Sequence, residues 1–179
     1  MSKNVTQKQL HQLLGSLGLV VAVLLLVGTG LLSMGKQFAS SQVKNQLVQE
    51  KIFFPAANSV GLSAKEFPSL QQYASQAVDN GIKAKAYADE YIWVHMMKSS
   101  NGKTYAEVSN ASRANPTDTK LAALKGTLFQ GDMLRSSLLT AYAFSVLGLV
   151  AGYAAIVCLL GAAILGACSL YCFIKAARA

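Results

Sequence analysis

The chain contains few charged residues. Aspartate, glutamate, lysine and arginine make up 13% of its 179 residues, and hydrophobic residues make up 53%. Soluble domains usually carry about 25% charged residues, so the deficit indicates a membrane protein. All eight acidic residues lie between Glu50 and Asp132. The charged residues near both ends of the chain are therefore all basic. In the middle, basic residues are interleaved with acidic ones and form no basic run, which argues against nucleic acid as a partner.

Residues that often carry catalysis or bind metals are also scarce. The three cysteines, Cys158, Cys168 and Cys172, all lie in the last apolar run, so disulfide bonds cannot hold the central part of the chain together. The two histidines are His11 and His95, and the sequence has no phosphate-binding loop, nucleophile elbow or His-Glu-x-x-His motif. We therefore expect no catalytic, cofactor-binding or metal-binding residues. A membrane-anchored enzyme with a metal at His95 is the alternative.

Two long runs contain no charged residue. Leu13–Met34 is 22 residues long and Ser136–Ile174 is 39 residues long. As helices they reach about 33 Å and about 58 Å, and the hydrocarbon layer of a bilayer is ~30 Å thick. Each run can therefore cross a membrane, and the second can also project from it. The runs divide the chain into a tail (1–12), transmembrane helix 1 (13–34), a helical domain (35–135), a long helix that includes transmembrane helix 2 (136–174) and a second tail (175–179).

Small residues recur at helical spacing in both runs. In the second run, steps of four and three residues connect nine positions, and eight of the nine are small. We call these positions the small-residue stripe: Ala141, Ser145, Gly148, Gly152, Ala155, Leu159, Ala162, Gly166 and Ser169. In the first run, the small positions that share a face are Gly15, Gly18 and Ala22. Small residues let helices approach closely in lipid, so both faces are candidate packing interfaces. The stripe can meet the first helix or a foreign helix, and we favour the first helix.

The sequence pattern in the middle of the chain predicts short helices joined by turns. We expect helices over 69–78 and 82–98, and the residues Thr104 to Glu107 fit a capping box that opens another. Thr117 is a candidate N-cap for the long helix, and Gly126 and Gly131 are candidate kinks. The period of two that is typical of half-buried strands does not occur. The predicted fold class is an all-α membrane protein with two transmembrane helices and an extracytoplasmic helical domain between them.

Several stretches together carry a resemblance to a known family. They are Ile52–Pro55, Phe67–Ala74, Val78–Asp89, His95, Gly102–Val108 and Leu128–Leu138. They resemble a family of two-span actinobacterial membrane proteins that includes the respiratory supercomplex association factor, a twenty-kilodalton accessory subunit. The resemblance covers nearly the whole chain, and the mass of 19.0 kDa suits that branch.

The resemblance implies a location and a set of partners. It implies a plasma membrane protein with both termini in the cytoplasm and the central domain outside it. Its partners would be membrane lipid and subunits of the cytochrome bcc complex and cytochrome c oxidase, and it would hold no cofactor of its own. The implied function is that of a non-catalytic accessory subunit of the menaquinol–cytochrome c reductase/cytochrome c oxidase supercomplex. The other readings are a homo-oligomeric envelope protein of unknown role and a membrane-anchored metal-dependent enzyme.

Overall fold

A computed structural model describes the backbone of residues 2–178 and the side chains of residues 7–178. The described chain is helical and contains no strand, which confirms the all-α prediction. The helices are α1 (Ser2–Gln49), α2 (Gly81–Ala86), α3 (Trp93–Ser99), α4 (Tyr105–Ala114) and α5 (Thr119–Arg178). A 3₁₀ turn (Ser69–Tyr73) precedes α2, and a π-helical segment (Tyr87–Ile92) joins α2 to α3.

The chain forms two compact units. One, the two-helix unit, contains Met1–Phe38 and Leu147–Ala179, and the other, the central unit, contains Ala39–Val146. Helices α1 and α5 contribute to both. By length and composition, each of these two helices is able to cross a membrane.

The central unit has a hydrophobic core of its own. Its largest fully buried side chains come from the loops as well as from the helices: Phe54, Leu62, Leu70, Val78, Val108, Leu128 and Leu138. Burying a side chain of this size stabilises a fold by roughly 1.5–3 kcal/mol, so these few residues account for much of the stability of the unit.

The prediction of a helix over 69–78 is wrong beyond Tyr73. The chain turns at Ser75, where φ is 59°, and then runs beside the segment that follows α1. The Phe54 amide donates to the Gln76 carbonyl and the Val78 amide donates to the Ile52 carbonyl, each at 2.9 Å. Pairing of these backbone groups with a distant segment replaces the helical hydrogen bonds, and it lets Phe54 and Val78 enter the core.

The predicted helix over 82–98 corresponds to α2, the π-helical segment and α3. Asn80 caps α2, because its Oδ1 accepts from the Lys83 amide at 3.0 Å. The predicted capping box is confirmed: Thr104 accepts from the Glu107 amide, and the Glu107 carboxylate accepts from the Thr104 amide at 2.7 Å. Both caps are local contacts that sequence spacing can reveal.

The predicted N-cap of α5 is wrong by one residue. Asp118, not Thr117, accepts a hydrogen bond from the Leu121 amide, at 2.9 Å. Helix α5 continues without interruption through Gly126 and Gly131. A Cβ atom added to Gly131 would lie 2.7 Å from Met96 Sδ, so this glycine makes room for a side chain of α3.

Candidate helix-packing interface

Helices α1 and α5 run antiparallel in the two-helix unit. Positions that ascend along α1 meet positions that descend along α5. The meeting pairs are Gly15 with Phe173, Gly18 with Ser169, Leu25 with Gly161, Thr29 with Ala155, and Lys36 with Gly152. The regular sequence of pairs indicates continuous contact along the uncharged run of α1.

All three small positions predicted on α1 face α5 or are buried. A Cβ atom added to Gly18 would overlap Ser169 Oγ, and one added to Gly15 would lie 3.1 Å from the Phe173 ring. Ala22 is 4% exposed. The two backbones therefore approach closely because α1 carries almost no side-chain volume on this face.

The small-residue stripe of α5 is mostly buried within the two-helix unit. Its buried members there are Gly148, Gly152, Ala155, Ala162 and Ser169. Gly166 is half-buried, and a Cβ atom at that position would have no neighbour within 4 Å. Leu159, the bulky member of the stripe, is 49% exposed. Some members of the small-residue stripe are therefore buried in the two-helix unit, and others, such as Leu159, are not.

The first two members of the stripe belong to the central unit and meet other partners there. A Cβ atom added to Gly81, the first residue of α2, would overlap Ser145 and would lie 3.3 Å from the Tyr142 Cα. Ala141 lines a cavity of about 290 Å³ together with Leu47 of α1. The small-residue stripe looks uniform in the sequence, but its members contact α2 in the central unit and α1 in the two-helix unit.

The side chain of Lys36 lies against Gly152, a contact that the sequence did not reveal. A Cβ atom at Gly152 would lie 2.8 Å from Lys36 Cδ and 3.2 Å from Lys36 Cε. Lys36 Nζ would lie 3.3 Å from the same position, so the last three atoms of this side chain all lie beside Gly152. Gly152–Ile174 is 23 residues long, one more than the uncharged run of α1, and the uncharged run of α5 begins 16 residues before Gly152, or about 24 Å of helix.

The tyrosines of α5 have different surroundings in the two units. Tyr142 lies in the central unit with the Lys85 ammonium 5.7 Å from its ring centre. Tyr153, one residue from Gly152, and Tyr171 are both exposed. They are separated by 18 residues, or about 27 Å of helix.

A hydrogen bond also connects α1 to α5. Thr29 Oγ1 lies 2.9 Å from the Leu25 carbonyl oxygen of its own helix and 3.5 Å from the Ala155 carbonyl oxygen of α5. The hydroxyl group is thus shared between the two acceptors. The longer contact is a polar interaction between two helices that otherwise meet through apolar packing.

An exposed face of α5 in the central unit lies on the other side of the helix from the small-residue stripe. We call it the outer stripe: Phe129, Met133, Ser136, Thr140 and Ala143. With Tyr105 of α4, these residues line a shallow groove, and the rings of Tyr105 and Phe129 are 5.7 Å apart. Phe129 and Met133 are 49% and 54% exposed. Their spacing and apolar chemistry make this groove the second candidate contact surface.

Charged residues fix the π-helical segment to α5 beside this groove. Arg135 Nη2 donates to Asp89 Oδ1 at 2.8 Å, and the guanidinium carbon of Arg135 lies 4.8 Å from the Trp93 ring centre. Lys85 Nζ donates to the other carboxylate oxygen of Asp89 at 2.6 Å. The hydrogen bond from Lys85, and then that from Arg135, holds the pKa of Asp89 below its usual range, although partial burial opposes the shift.

His95 takes part in packing and hydrogen bonding. Its Nδ1 lies 2.8 Å from the Tyr91 carbonyl oxygen, and its ring stacks on Phe67 at 5.3 Å with an angle of 3° between the planes. Among the side chains from Gln7 to Arg178, no three His, Cys, Asp or Glu residues come together in a way that could hold a metal ion. The arrangement around His95 is that of a structural residue at the edge of the core.

Comparison with known proteins gives no relative. The chain matches no protein-family model, no curated protein and no solved structure.

Proposed function

We propose that the chain is a non-catalytic accessory subunit of the actinobacterial menaquinol–cytochrome c reductase/cytochrome c oxidase supercomplex. It aids the association or stability of the complex through helix packing. In this proposal the two-helix unit lies in the plasma membrane, both termini are cytoplasmic and the central unit is extracytoplasmic. The sequence resemblance suggests the partner. The lysine and arginine residues of the two tails agree with a cytoplasmic location for them.

The outer stripe of α5 is the observation that carries the proposal. Within the two-helix unit, α1 occupies much of the small-residue stripe, so a partner needs another surface. The outer stripe offers exposed phenylalanine and methionine side chains beside an aromatic residue of α4. Aromatic residues and methionine are enriched at the centre of protein interfaces.

The position of the outer stripe along α5 favours a protein partner over lipid. Its members precede Gly152 by nine to 23 residues, which is about 14–35 Å of helix. In this proposal the membrane surface lies near Lys36, the first charged residue after the uncharged run of α1, and the hydrocarbon layer would not cover side chains at that distance from it. Leaving large apolar side chains in water is unfavourable, and contact with a partner removes that cost.

Affinity purification of the tagged chain in mild detergent tests the proposal. We expect cytochrome absorption bands in the eluate of the unaltered protein. Replacing Phe129 and Met133 together by Gln should lower the recovered haem at least about tenfold, because truncating central interface residues costs more than ~1.4 kcal/mol. Val60→Gln is the matched control, since Val60 is a fully exposed apolar residue of the same unit that lies off the stripe.

Three outcomes would contradict the proposal. Eluates without haem in every detergent that keeps the protein folded would argue against a respiratory partner. A discrete assembly of this chain alone would instead favour a homo-oligomeric envelope protein. Stoichiometric metal that is lost on His95→Ala would favour a metal-dependent enzyme.

A further inference from the structure

A groove lies at the end of the two-helix unit that carries the chain termini. Gln9, Gln12, Leu13 and Ser16 of α1 line it, and Phe173 of α5 closes one side. The Phe173 ring packs where Gly15 has no side chain, 3.1 Å from the position of a Cβ atom. The groove therefore exists because a glycine of α1 lets an aromatic ring of α5 lie against the helix.

The groove is divided chemically along α1. Two amide side chains, which can each donate hydrogen bonds, lie on the side of the terminus. Leu13 and Ser16 lie at the start of the uncharged run, and the Ser16 hydroxyl donates to the Leu13 carbonyl oxygen at 3.0 Å, so its proton is used within the helix. A ligand with a polar head and an apolar tail matches this division.

A basic residue adjoins the groove. Lys8 precedes Gln12 by four residues, shares its side of α1 and is exposed. Lys175 and Arg178 are also exposed near the end of α5, where the Lys175 ammonium lies 5.7 Å from the Tyr171 ring centre. No acidic residue occurs before Glu50 or after Asp132, so the charge of Lys8 at the groove favours an anion.

We infer that this groove binds one anionic phospholipid, with its phosphate near Lys8, Gln9 and Gln12 and an acyl chain along Leu13, Ser16 and Phe173. Basic pockets between transmembrane helices bind anionic head groups in this manner. The inference shares with the proposed function the requirement that the two-helix unit lies in a bilayer. It does not depend on a respiratory partner.

Native mass spectrometry of the full-length protein, purified in detergent, tests the inference. The probes are phosphatidylglycerol and phosphatidylcholine with identical acyl chains, added in equal amounts. We expect retained phosphatidylglycerol to exceed phosphatidylcholine about fivefold or more, and Lys8→Gln to remove about fivefold of that preference. Lys44→Gln, which removes the same charge from α1 in the central unit, should leave the preference unchanged.

A second variant tests the apolar half of the groove. Ser16→Phe fills this part of the groove without changing any charge, and it should lower retention of both lipids while the thermal midpoint stays within a few degrees of that of the unaltered protein. Excess inorganic phosphate should not displace phosphatidylglycerol. Displacement by phosphate, equal effects of Lys8→Gln and Lys44→Gln, or unchanged retention by Ser16→Phe would each overturn the inference. Haem recovery by the Lys8→Gln variant separates this test from that of the proposed function, since it should stay unchanged.

Discussion

Gly18 of α1 lies directly against Ser169 of α5, so closely that a Cβ atom at residue 18 would overlap the serine hydroxyl group. An added Cβ atom would come closer to its neighbour at Gly18 than at Gly15, Gly152 or Gly161. This contact shows that the face of α1 formed by Gly15, Gly18 and Ala22 packs against the small-residue stripe of α5.

Gly18→Leu should separate the two helices. Forcing a leucine side chain into this contact should destabilise the pair by roughly 1–3 kcal/mol, which is typical of overpacking. Thermal unfolding in detergent, followed by circular dichroism, measures the loss. Gly28→Leu is the matched control on the same helix, because nothing lies within 4 Å of a Cβ atom at that position. An equal shift for both variants would contradict the assigned face.

Gly81→Ala should destabilise the central unit. A methyl group there would meet the Ser145 side chain and the backbone of Tyr142, and a backbone neighbour cannot move aside cheaply. We expect a loss of roughly 1–3 kcal/mol. Gly126→Ala places the same methyl group on α5 in open space, so it should be neutral or stabilise by up to ~1 kcal/mol through helix propensity. Urea titration of both variants distinguishes the two effects, and equal midpoints would exclude the contact of Gly81 with α5 as a source of stability.

Asp89→Asn should weaken the central unit in a pH-dependent way. The pKa of Asp89 is lowered in the folded protein by Lys85 and Arg135, so the folded state favours the ionised carboxylate. The resulting stability is fully present above the usual pKa of about 3.9 and is lost as the pH falls through the lowered pKa of the folded state.

The expected size of this effect is about 0.5–1 kcal/mol near neutral pH, because the ion pairs are partly exposed to solvent. Thermal midpoints of the unaltered protein and the variant should therefore differ at neutral pH and converge once the carboxylate is protonated. A difference that persists in acid would mean that Asp89 acts through packing and not through its charge.

Thr104→Ala should loosen the start of α4. The Thr104 side chain accepts from the Glu107 amide, and losing such an N-cap costs roughly 0.5–2 kcal/mol. Thr104→Ser keeps the hydroxyl oxygen and should restore most of the loss. Hydrogen exchange of the first amides of α4 measures the change locally. If the alanine and serine variants exchange alike, the capping contact contributes nothing measurable.

Local patterns in the sequence predicted several features for a physical reason. A charge-free run of sufficient length indicates a helix able to span a membrane because buried charge is costly there. The Thr104–Glu107 box was found because both partners lie within one helical turn. The single-residue error at the start of α5 arose because Thr117 and Asp118 both have a capping side chain, and only the path of the chain before the helix selects between them.

The sequence by itself determined the all-helical architecture, the two long apolar helices and the candidate small faces, because these depend on composition and on spacing within one helix. The tertiary structure decided which of those faces meet. It placed Gly18 against Ser169, Lys36 over Gly152 and Gly81 against Ser145. It also replaced the second half of the predicted helix over 69–78 by pairing with the segment after α1. Each of these contacts joins residues that are distant in the chain, and no periodicity along one helix specifies the register between two of them.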